Sequence, residues 1–449
     1  MDHPIHHLLP EIISEIFIHC LTRNCPGQKQ APLNVSSVCR QWRQIATSTP
    51  HLWSQISIHQ SWNSRTQFVR ILKLWISRSG SCGFSFAINW MRRDFSGVPD
   101  TAFQAILGVL LDNCEAWRNV QLTTELSLLT EFLSVIPGRT PKIQKITIHG
   151  VGGYETFSLT KLFAAPLVGL THLFIDASTR FLPCSNGLLL ENLRSLHLRY
   201  VDQLELIDCL SRSPRLQEFK AWFTFNTPNL QPIHNHVNVC LPHLRSLQLI
   251  LDVFTWEQGK RGPFDHFQFP ALETLFLDIL SANLQDPNVT DHLSDLTIEF
   301  ACRYANSLQH LEIDGRFINP PAPFVDRLPK LKHLGVPISF LDNEDIQGLV
   351  LRFSSSAHQP RQVFSHIESL SVFAVKGHSE TNLSAIIRHA VEEESSTAVC
   401  PVTILVPSAS LESFIVPQGS MVHVRARHEW RELHRHDLYR EIGWVYSEG

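Results

Sequence analysis

The sequence lacks three features that would assign it to common classes of protein. No two of its ten cysteines are spaced Cys-x-x-Cys, and a disulfide framework is not expected. No stretch reaches the roughly 18 apolar residues that a membrane-spanning helix needs. Lys and Arg number 38 against 42 for Asp and Glu, so the net charge of −4 provides no basic field for nucleic acid. We therefore expect neither a nucleic-acid partner nor a membrane partner.

Motifs for catalysis and for metal binding are also missing. The 24 histidines include one cluster at positions 3–7 and another at positions 428–436, but neither has the His-Glu-x-x-His spacing of a metal site. The sequence contains no Gly-x-Ser-x-Gly elbow, no phosphate-binding glycine-rich loop and no cysteine with the signature of a nucleophile. We interpret the histidines as surface residues, and we expect no metal, no cofactor and no enzymatic activity.

The amino-terminal stretch MDHPIHHLLPEIISEIF bears on the compartment. It has an acidic residue at position 2 and no basic segment before its apolar residues, so no secretory signal peptide is expected. Scattered cysteines without such a signal are typical of a reducing compartment. The sequence therefore predicts a protein of the cytoplasm, the nucleus or both.

Two apolar stripes at helical spacing open the chain. Between residues 9 and 20 apolar side chains recur at offsets of 0, 3, 4, 7, 8 and 11, with Pro10 in the first turn. The same spacing recurs between residues 35 and 46, after a loop that contains Pro26-Gly27. Two helices of this size cannot bury both stripes against each other. The stripes therefore predict a partner surface, either in the same chain or in another.

The residues of this helical pair resemble the F-box family. The positions that match the family pattern are Leu9, Pro10, Ile16, Phe17, Val38, Cys39, Arg40, Trp42, Arg43, Pro50, Leu52 and Trp53. One departure is Glu11, which stands one position earlier than the acidic residue often found there. The resemblance covers about the first sixty residues.

The resemblance implies a three-helix F-box at residues 4–60 that docks on a Skp-type adaptor and so attaches the chain to a cullin ubiquitin ligase. The residues that it assigns to adaptor binding are Leu9, Pro10, Ile13, Ile16, Phe17, Val38, Cys39 and Trp42. The simpler alternative is that the two helices only cap the remainder of the chain. We expect Trp53 to pack them onto the following helix rather than to contact a partner.

A helix, a strand and a second helix are predicted over the connecting segment, residues 61–115. Apolar residues share one helical face over Arg65–Arg78 and again over Asp100–Cys114. Between them, CGFSFAI alternates apolar and small residues as a half-buried strand does.

A repeat then occupies residues 116–380. The template Leu-x-x-Leu-x-Leu, with other apolar residues allowed as substitutes, begins at Trp117, Ile143, Leu170, Leu193, Leu216, Leu244, Leu272, Leu308, Leu331 and Ile367. Most of the intervals fall within the 20–29 residues of leucine-rich repeats, which this region resembles. That resemblance implies an α/β solenoid in which stacked strand–helix units bury each other. The arrangement is expected to be irregular because the asparagine or cysteine usual after each strand is missing.

The last segment, residues 381–449, is predicted to be a carboxyl-terminal cap. Residues 402–407 and 421–427 alternate like strands, and Trp430, Leu433, Leu438 and Ile442 lie on one face of a predicted helix.

Alternation along the repeat strands indicates which side chains could meet a target protein. If the template residues point inward, their neighbours face out on the other side of the sheet. The candidate target-binding residues are Arg199, Lys220, Trp222, Phe276, Asp278, His310 and Glu312. Exposed aromatic residues with flanking charges are typical of a protein-binding patch. The open alternative is that Phe174, Trp222 and Phe276 are covered by insertions.

Two functions follow as hypotheses. In the first, the chain is the substrate-recognition subunit of a Skp–cullin–F-box ubiquitin ligase, and its repeats bind a protein target for ubiquitination. In the second, it is a leucine-rich-repeat binding scaffold that acts outside a ubiquitin ligase.

Overall fold

The computed structural model describes residues 8–21, 31–59, 65–90, 101–124, 126–150, 157–158, 162, 165–176, 179–180, 190–226, 238–255, 265, 267–280, 287–314, 322–337, 367–373, 402–407 and 422–427. The chain divides into two compact units, one over Met1–Arg199 and one over Tyr200–His434. Each unit is a mixed α/β structure built on parallel strands. They are described one after the other.

Three helices begin the first unit. They are α1 (Pro10–His19), α2 (Leu33–Val38) and α3 (Arg40–Ser48), and a 3-10 turn over Pro50–Trp53 follows them. Pro10 stands in the first turn of α1, where its missing N–H is no loss. We call α1, α2, α3 and this turn the amino-terminal helical segment.

The predicted second helix is interrupted at Cys39, so the expectation of one continuous helix over residues 35–46 is wrong. Cys39 has the extended backbone angles φ −151° and ψ 174°. Its Sγ accepts a hydrogen bond from the Trp42 backbone N–H at 3.4 Å, which caps the start of α3. Apolar spacing alone did not show the break because the apolar residues keep their helical spacing across Cys39.

Strands and helices then alternate as far as the sixth helix, and five strands follow it in the first unit. In chain order they are β1 (Gln55–His59), α4 (Arg65–Ser79), β2 (Phe84–Trp90), α5 (Thr101–Asp112), β3 (Trp117–Thr124), α6 (Leu126–Arg139), β4 (Lys145–Gly150), β5 (Phe157–Ser158), β6 (His172–Asp176), β7 (Thr179–Arg180) and β8 (Ser195–Asp202). Strands β1, β2, β3, β4, β6 and β8 pair in that order, all parallel. The short β5 and β7 pair with each other. The predicted helix–strand–helix order of residues 61–115 is confirmed.

The second unit consists mostly of strands among its described elements. Its elements are α7 (Gln203–Ser211), β9 (Glu218–Asn226), β10 (Val239–Cys240), β11 (Ser246–Thr255), β12 (Phe267–Gln268), β13 (Thr274–Leu280), α8 (Pro287–Cys302), β14 (His310–Asp314), β15 (His333–Pro337), β16 (Ser369–Phe373), β17 (Val402–Pro407) and β18 (Val422–Arg427). Apart from β10 and β12, which pair with each other, the strands pair in chain order and parallel. The helix predicted around Trp430 lies outside the described residues.

Each of the ten template segments contributes one strand, from β3 to β16. In the first nine, all three apolar template positions are buried, as at Leu193, Leu196 and Leu198. The intervening residues face the other side of the sheet, as the period of two requires. The unusually long interval between Leu272 and Leu308 is occupied by α8.

A ladder of backbone hydrogen bonds links successive template segments at their second position. In the first unit Gln144 N–H donates to the Arg118 carbonyl at 2.7 Å, and Thr171 N–H to the Gln144 carbonyl at 2.9 Å. The series continues from Gln217 to Glu368 in the second unit at 2.7–2.9 Å. These bonds satisfy the backbone N–H and C=O groups where each strand begins.

Among the described residues no helix has the length and apolar character that a membrane span requires.

Candidate partner-docking surfaces

Helix α1 leaves one edge of its apolar stripe uncovered. Leu9, Ile12 and Ile16 keep 66%, 49% and 40% of their surface exposed. Their i, i+3 and i+7 spacing places them on one face of the helix, and we call them the α1 apolar row. Leu8 and Pro10, at the start of the helix, are also exposed. Adjacent exposed apolar side chains of this kind are typical of a site that contacts another protein.

The other edge of the same stripe is buried. Ile13 and Phe17 are each only 1% exposed. The Phe17 ring lies 4.9 Å from the half-buried indole of Trp42 on α3, at an interplanar angle of 57°. The expectation that Ile13 and Phe17 bind an adaptor is therefore wrong. The apolar stripe of α1 is wide enough that one of its edges packs inside the amino-terminal helical segment. These two residues and Trp42 hold α1 on α3.

Val38 and Cys39 are adjacent but have different environments. Val38 ends α2 and is 61% exposed. Cys39 is half-buried, and its thiol caps α3. Of the eight residues that the F-box resemblance assigns to adaptor binding, the exposed ones are thus Leu9, Pro10, Ile16 and Val38.

Trp53 connects the amino-terminal helical segment to the sheet. It is 1% exposed, its Nε1–H donates to the Ala46 carbonyl at 2.8 Å, and its ring contacts Trp75 of α4. Strand β1 begins two residues later. This confirms the prediction that Trp53 packs the segment onto the following helix.

A polar row crosses the first unit's sheet near the ends of three neighbouring strands. His149 on β4 is in register with Asp176 on β6, and Arg199 on β8 lies next to Asp176. Arg199 Nη1 is 2.6 Å from Asp176 Oδ1, and His149 Nδ1 is 3.6 Å from Asp176 Oδ2. Arg199, predicted as a target-binding residue, is therefore half-buried and engaged by a carboxylate.

Electrostatics hold Asp176 in its charged form. Burial alone would raise the pKa of this carboxyl, but the neighbouring His149 and the Arg199 guanidinium together hold the pKa well below its usual range. The far nitrogen of the ring, His149 Nε2, is buried and makes no hydrogen bond among the described residues. Phe174 stands beside the row, with ring centroids 5.1 Å from His149 and 4.2 Å from His197.

Three of the predicted target-binding residues in the second unit are buried. Trp222, Phe276 and Asp278 are 7%, 4% and 8% exposed. The expectation that they are exposed is wrong, and the alternative that insertions cover the two aromatic residues stays open because the segments after these strands lie outside the described residues. Ile250 lies in register between Trp222 and Asp278, so large side chains from adjacent strands pack against each other on this face.

The other predicted residues of the second unit are more accessible. Lys220 is half-buried, with its Nζ 3.4 Å from Glu218 Oε1. His310 is exposed, and its ring lies 5.8 Å from that of His333. Glu312 is 35% exposed, and its Oε1 is 3.2 Å from His333 Nε2.

His333 joins two other side chains across three strands. Its Nδ1 lies 2.6 Å from Ser369 Oγ, opposite the Glu312 contact. Because an ionised carboxylate only accepts, the ring donates its Nε2–H to Glu312, and its Nδ1 shares the second hydrogen bond with the Ser369 hydroxyl. Among the described residues no group of three or more His, Cys, Asp or Glu side chains could hold a metal ion. The side chains of Glu312, His333 and Ser369 therefore form a hydrogen-bonded row on the face of the sheet.

A cavity of about 380 Å³ lies elsewhere in the second unit. Its lining includes Cys240, Phe269, Arg303 and Tyr304. Tyr304 donates to the Phe267 carbonyl at 3.3 Å, and burial raises its pKa to about 12. This hydroxyl is therefore a structural donor that stays protonated at neutral pH.

Several residues of these surfaces were not among the sequence candidates. They are Leu8, Ile12, His149, Asp176, His333 and Ser369. Ile12 belongs to the predicted stripe, so spacing alone could have selected it. His149 and Asp176 follow template residues by one position, and the period of two that selected Arg199 would have selected them as well. The contact between Ser369 and His333 has no comparable signal because 36 residues separate them.

Comparison with known proteins gives no relative: no protein-family model and no curated protein sequence matches the chain. The function is therefore inferred from the sequence and from the described residues.

Proposed function

We propose that the chain is the substrate-recognition subunit of a Skp–cullin–F-box ubiquitin ligase. The amino-terminal helical segment serves as the F-box and docks on a Skp-type adaptor. The repeat strands form a leucine-rich-repeat-like solenoid that holds a protein target. The single observation that carries the proposal is the α1 apolar row, Leu9, Ile12 and Ile16, left exposed on a helix whose sequence resembles the F-box.

The exposure of this row favours docking over simple capping. A helical segment that served only as a cap would turn its apolar residues toward the rest of the chain. Instead the segment already has an interior, formed by Ile13, Phe17 and the half-buried Trp42, and keeps further apolar residues outside it. Apolar side chains that are exposed to water and do not pack inside the protein are typical of the centre of a protein–protein interface.

The strand pattern supports the solenoid part of the proposal. Every template segment contributes a parallel strand, and consecutive segments are joined by the backbone ladder that links Arg118 to Gln144 and Gln144 to Thr171. In a solenoid each repeat is buried only by its neighbours, so the same three template positions are expected to be buried in every repeat. The burial of all three template positions in nine successive segments agrees with this.

The chain would act by proximity. The adaptor bound at α1 and the target bound by the repeats are held by one chain, so the target's lysines are brought near the ubiquitin-conjugating enzyme. Such tethering raises the effective concentration of the reacting groups, while the bond-forming chemistry belongs to the partners. Trp53 contributes by fixing the helical segment against α4.

The test is binding of a purified Skp-type adaptor to the full chain by calorimetry. The variant Leu9→Glu places a charge in the α1 apolar row and should weaken binding about tenfold to a hundredfold. The matched control is Leu74→Glu on α4, because Leu74 is another exposed leucine, at 44%, outside the row. The control should bind like the unchanged chain.

Circular dichroism of each variant separates a lost contact from a lost fold. An unchanged chain that does not bind the adaptor overturns the proposal and leaves the scaffold function. Equal weakening by both variants would also overturn it, because the contact would then not involve the α1 apolar row.

A further inference from the structure

Helix α4 carries apolar side chains on two opposite faces. Phe68, Leu72 and Trp75 form the buried face, which packs inside the first unit. On the other face Ile71 and Leu74 keep 40% and 44% of their surface exposed. Because these two residues are three positions apart, they are neighbours on the helix surface. A helix that already buries one apolar stripe thus presents a second, smaller apolar pair to water.

The charges on the exposed face of α4 are all positive. Arg70 precedes Ile71, Lys73 precedes Leu74, and both basic side chains are exposed. Neither of them makes an ion pair or a hydrogen bond among the described residues. The helix contains four basic residues and no acidic one, whereas the whole chain has a net charge of −4. We call Arg70, Ile71, Lys73 and Leu74 the α4 basic–apolar face.

The neighbouring helix offers little negative charge to this face. Helix α5 packs beside α4, and its only acidic residue is Asp112, the last residue of the helix. Arg70 and Lys73 are three positions apart on α4, so their like charges repel each other. The carboxylates of a partner would relieve this repulsion and add attraction of their own.

An apolar pair flanked by cations on a helix fits an acidic amphipathic helix. Two packed helices bury apolar residues along a shared seam, and charged residues beside the seam pair across it. Membrane surfaces also attract basic amphipathic helices, but those helices insert a wide apolar face that contains Trp, Phe or Leu. The wide apolar face of α4, with Phe68, Leu72 and Trp75, is already buried inside the protein. The observations therefore favour a protein partner.

We propose that the α4 basic–apolar face docks an acidic amphipathic helix of a partner protein. Ile71 and Leu74 contact the apolar residues of that helix, and Arg70 and Lys73 pair with its carboxylates. This docking is independent of the proposed function, because α4 lies outside the amino-terminal helical segment. It is therefore measured without adaptor.

The experiment uses fluorescence anisotropy of a labelled peptide of about 20 residues, long enough to form a helix, with Leu on one face and Glu on the other. A scrambled peptide of the same composition and a peptide with Lys in place of every Glu serve as comparisons. The ordered acidic peptide should bind the full chain about tenfold more tightly than either. Raising salt from about 0.05 M to about 0.5 M should weaken this binding. Equal binding of a comparison peptide, or no binding of the acidic one, overturns the proposal.

The double variant Arg70→Gln with Lys73→Gln should weaken binding of the acidic peptide about tenfold, because two exposed ion pairs are lost. Its matched control is Arg327→Gln with Lys330→Gln, because these two residues are also exposed and three positions apart. The control has the same net charge and should bind like the unchanged chain. Equal weakening by the two double variants would show that net charge alone attracts the peptide, and the assignment of the site would fail.

Leu74→Glu separates this face from the adaptor site. The variant should weaken binding of the acidic peptide about tenfold and leave adaptor binding unchanged, while Leu9→Glu should do the reverse. Failure of adaptor docking and failure of acidic-helix binding are thus separate results. If Leu74→Glu keeps its circular dichroism spectrum and binds the peptide like the unchanged chain, the α4 basic–apolar face is not the binding site.

Two other occupants of the face would give different results. Vesicles of phosphatidylcholine and phosphatidylserine test a membrane surface, and binding of the vesicles without binding of the peptide overturns the protein partner. Sedimentation velocity tests a second copy of the chain, because α1 carries Glu11 and Glu15 beside its own apolar row. Self-association that both Leu9→Glu and Leu74→Glu abolish would assign the face to α1 of a second copy and overturn the proposal.

Discussion

The indole rings of Trp53 and Trp75 meet edge to face, with centroids 5.1 Å apart and planes at 80°. Trp53 closes the amino-terminal helical segment, and Trp75 belongs to α4, the first helix that covers the sheet. The Arg78 guanidinium lies over the Trp53 ring at 4.3 Å, and Ala46 accepts the indole N–H. Edge-to-face and cation–π contacts each add stabilisation beyond the buried area. One side chain thus joins the proposed docking segment to the sheet.

Trp53→Ala should reduce the free energy of unfolding by about 3–5 kcal/mol, because it empties a fully buried position and removes these contacts. Urea unfolding followed by circular dichroism measures the loss. Trp42→Ala is the comparison and should cost less, because Trp42 is only half-buried. Equal losses of unfolding free energy in the two variants would mean that the contacts of Trp53 give no extra stability.

Cys39 should act as a helix cap rather than as a reactive thiol. Cys39→Ala removes the acceptor for the Trp42 N–H and should lower the free energy of unfolding by about 0.5–2 kcal/mol. Cys39→Ser keeps an acceptor of a preferred capping type and should be at least as stable as the unchanged chain. Urea unfolding of the two variants gives the answer. If they unfold alike, capping does not explain the break between α2 and α3.

Asp176→Asn should change both the stability and its dependence on pH. The pKa of Asp176 is lower in the folded chain than in the unfolded one, so its contribution is complete above roughly pH 5 and is lost as pH falls toward the folded value. The variant should lose about 1–3 kcal/mol at neutral pH, and progressively less below roughly pH 4.

Unfolding by urea at several pH values measures this difference for Asp176→Asn. Asp326→Asn, at an exposed carboxyl, is the control and should stay within about 0.5 kcal/mol of the unchanged chain. A loss for Asp176→Asn that is the same at every pH would show that the ionised form is not what Arg199 stabilises.

Gly83 should not tolerate a side chain. Its φ is +68°, and an added Cβ would stand 2.5 Å from the Ala116 carbonyl oxygen. Gly83→Ala should therefore cost about 1–3 kcal/mol. Gly108→Ala is the opposite case: Gly108 lies within α5 with no atom near its added Cβ, so stability should rise by about 0.5–1 kcal/mol. Thermal unfolding of both variants should show shifts of opposite sign.

Local pattern determined most of the elements. In the template, two apolar residues such as Leu196 and Leu198 are separated by one residue, and a third, Leu193, precedes them. This spacing is typical of a strand that buries its apolar residues on one side. Repetition of the template then required parallel pairing in chain order, because each strand is followed by a connection long enough to return. The sequence by itself therefore determined the α/β class, the positions of the ten strands and the faces of α1.

Tertiary structure decided which of the outward-facing residues are accessible. Trp222 and Arg199 both stand at outward-facing positions of their strands. Trp222 is nevertheless buried beside Ile250, and Arg199 is half-buried and paired with Asp176. Alternation gives the side of the sheet and carries no information about what covers that side. The same holds for α1, where only the packing of Phe17 on Trp42 decides which edge of the stripe is buried and which stays available to a partner.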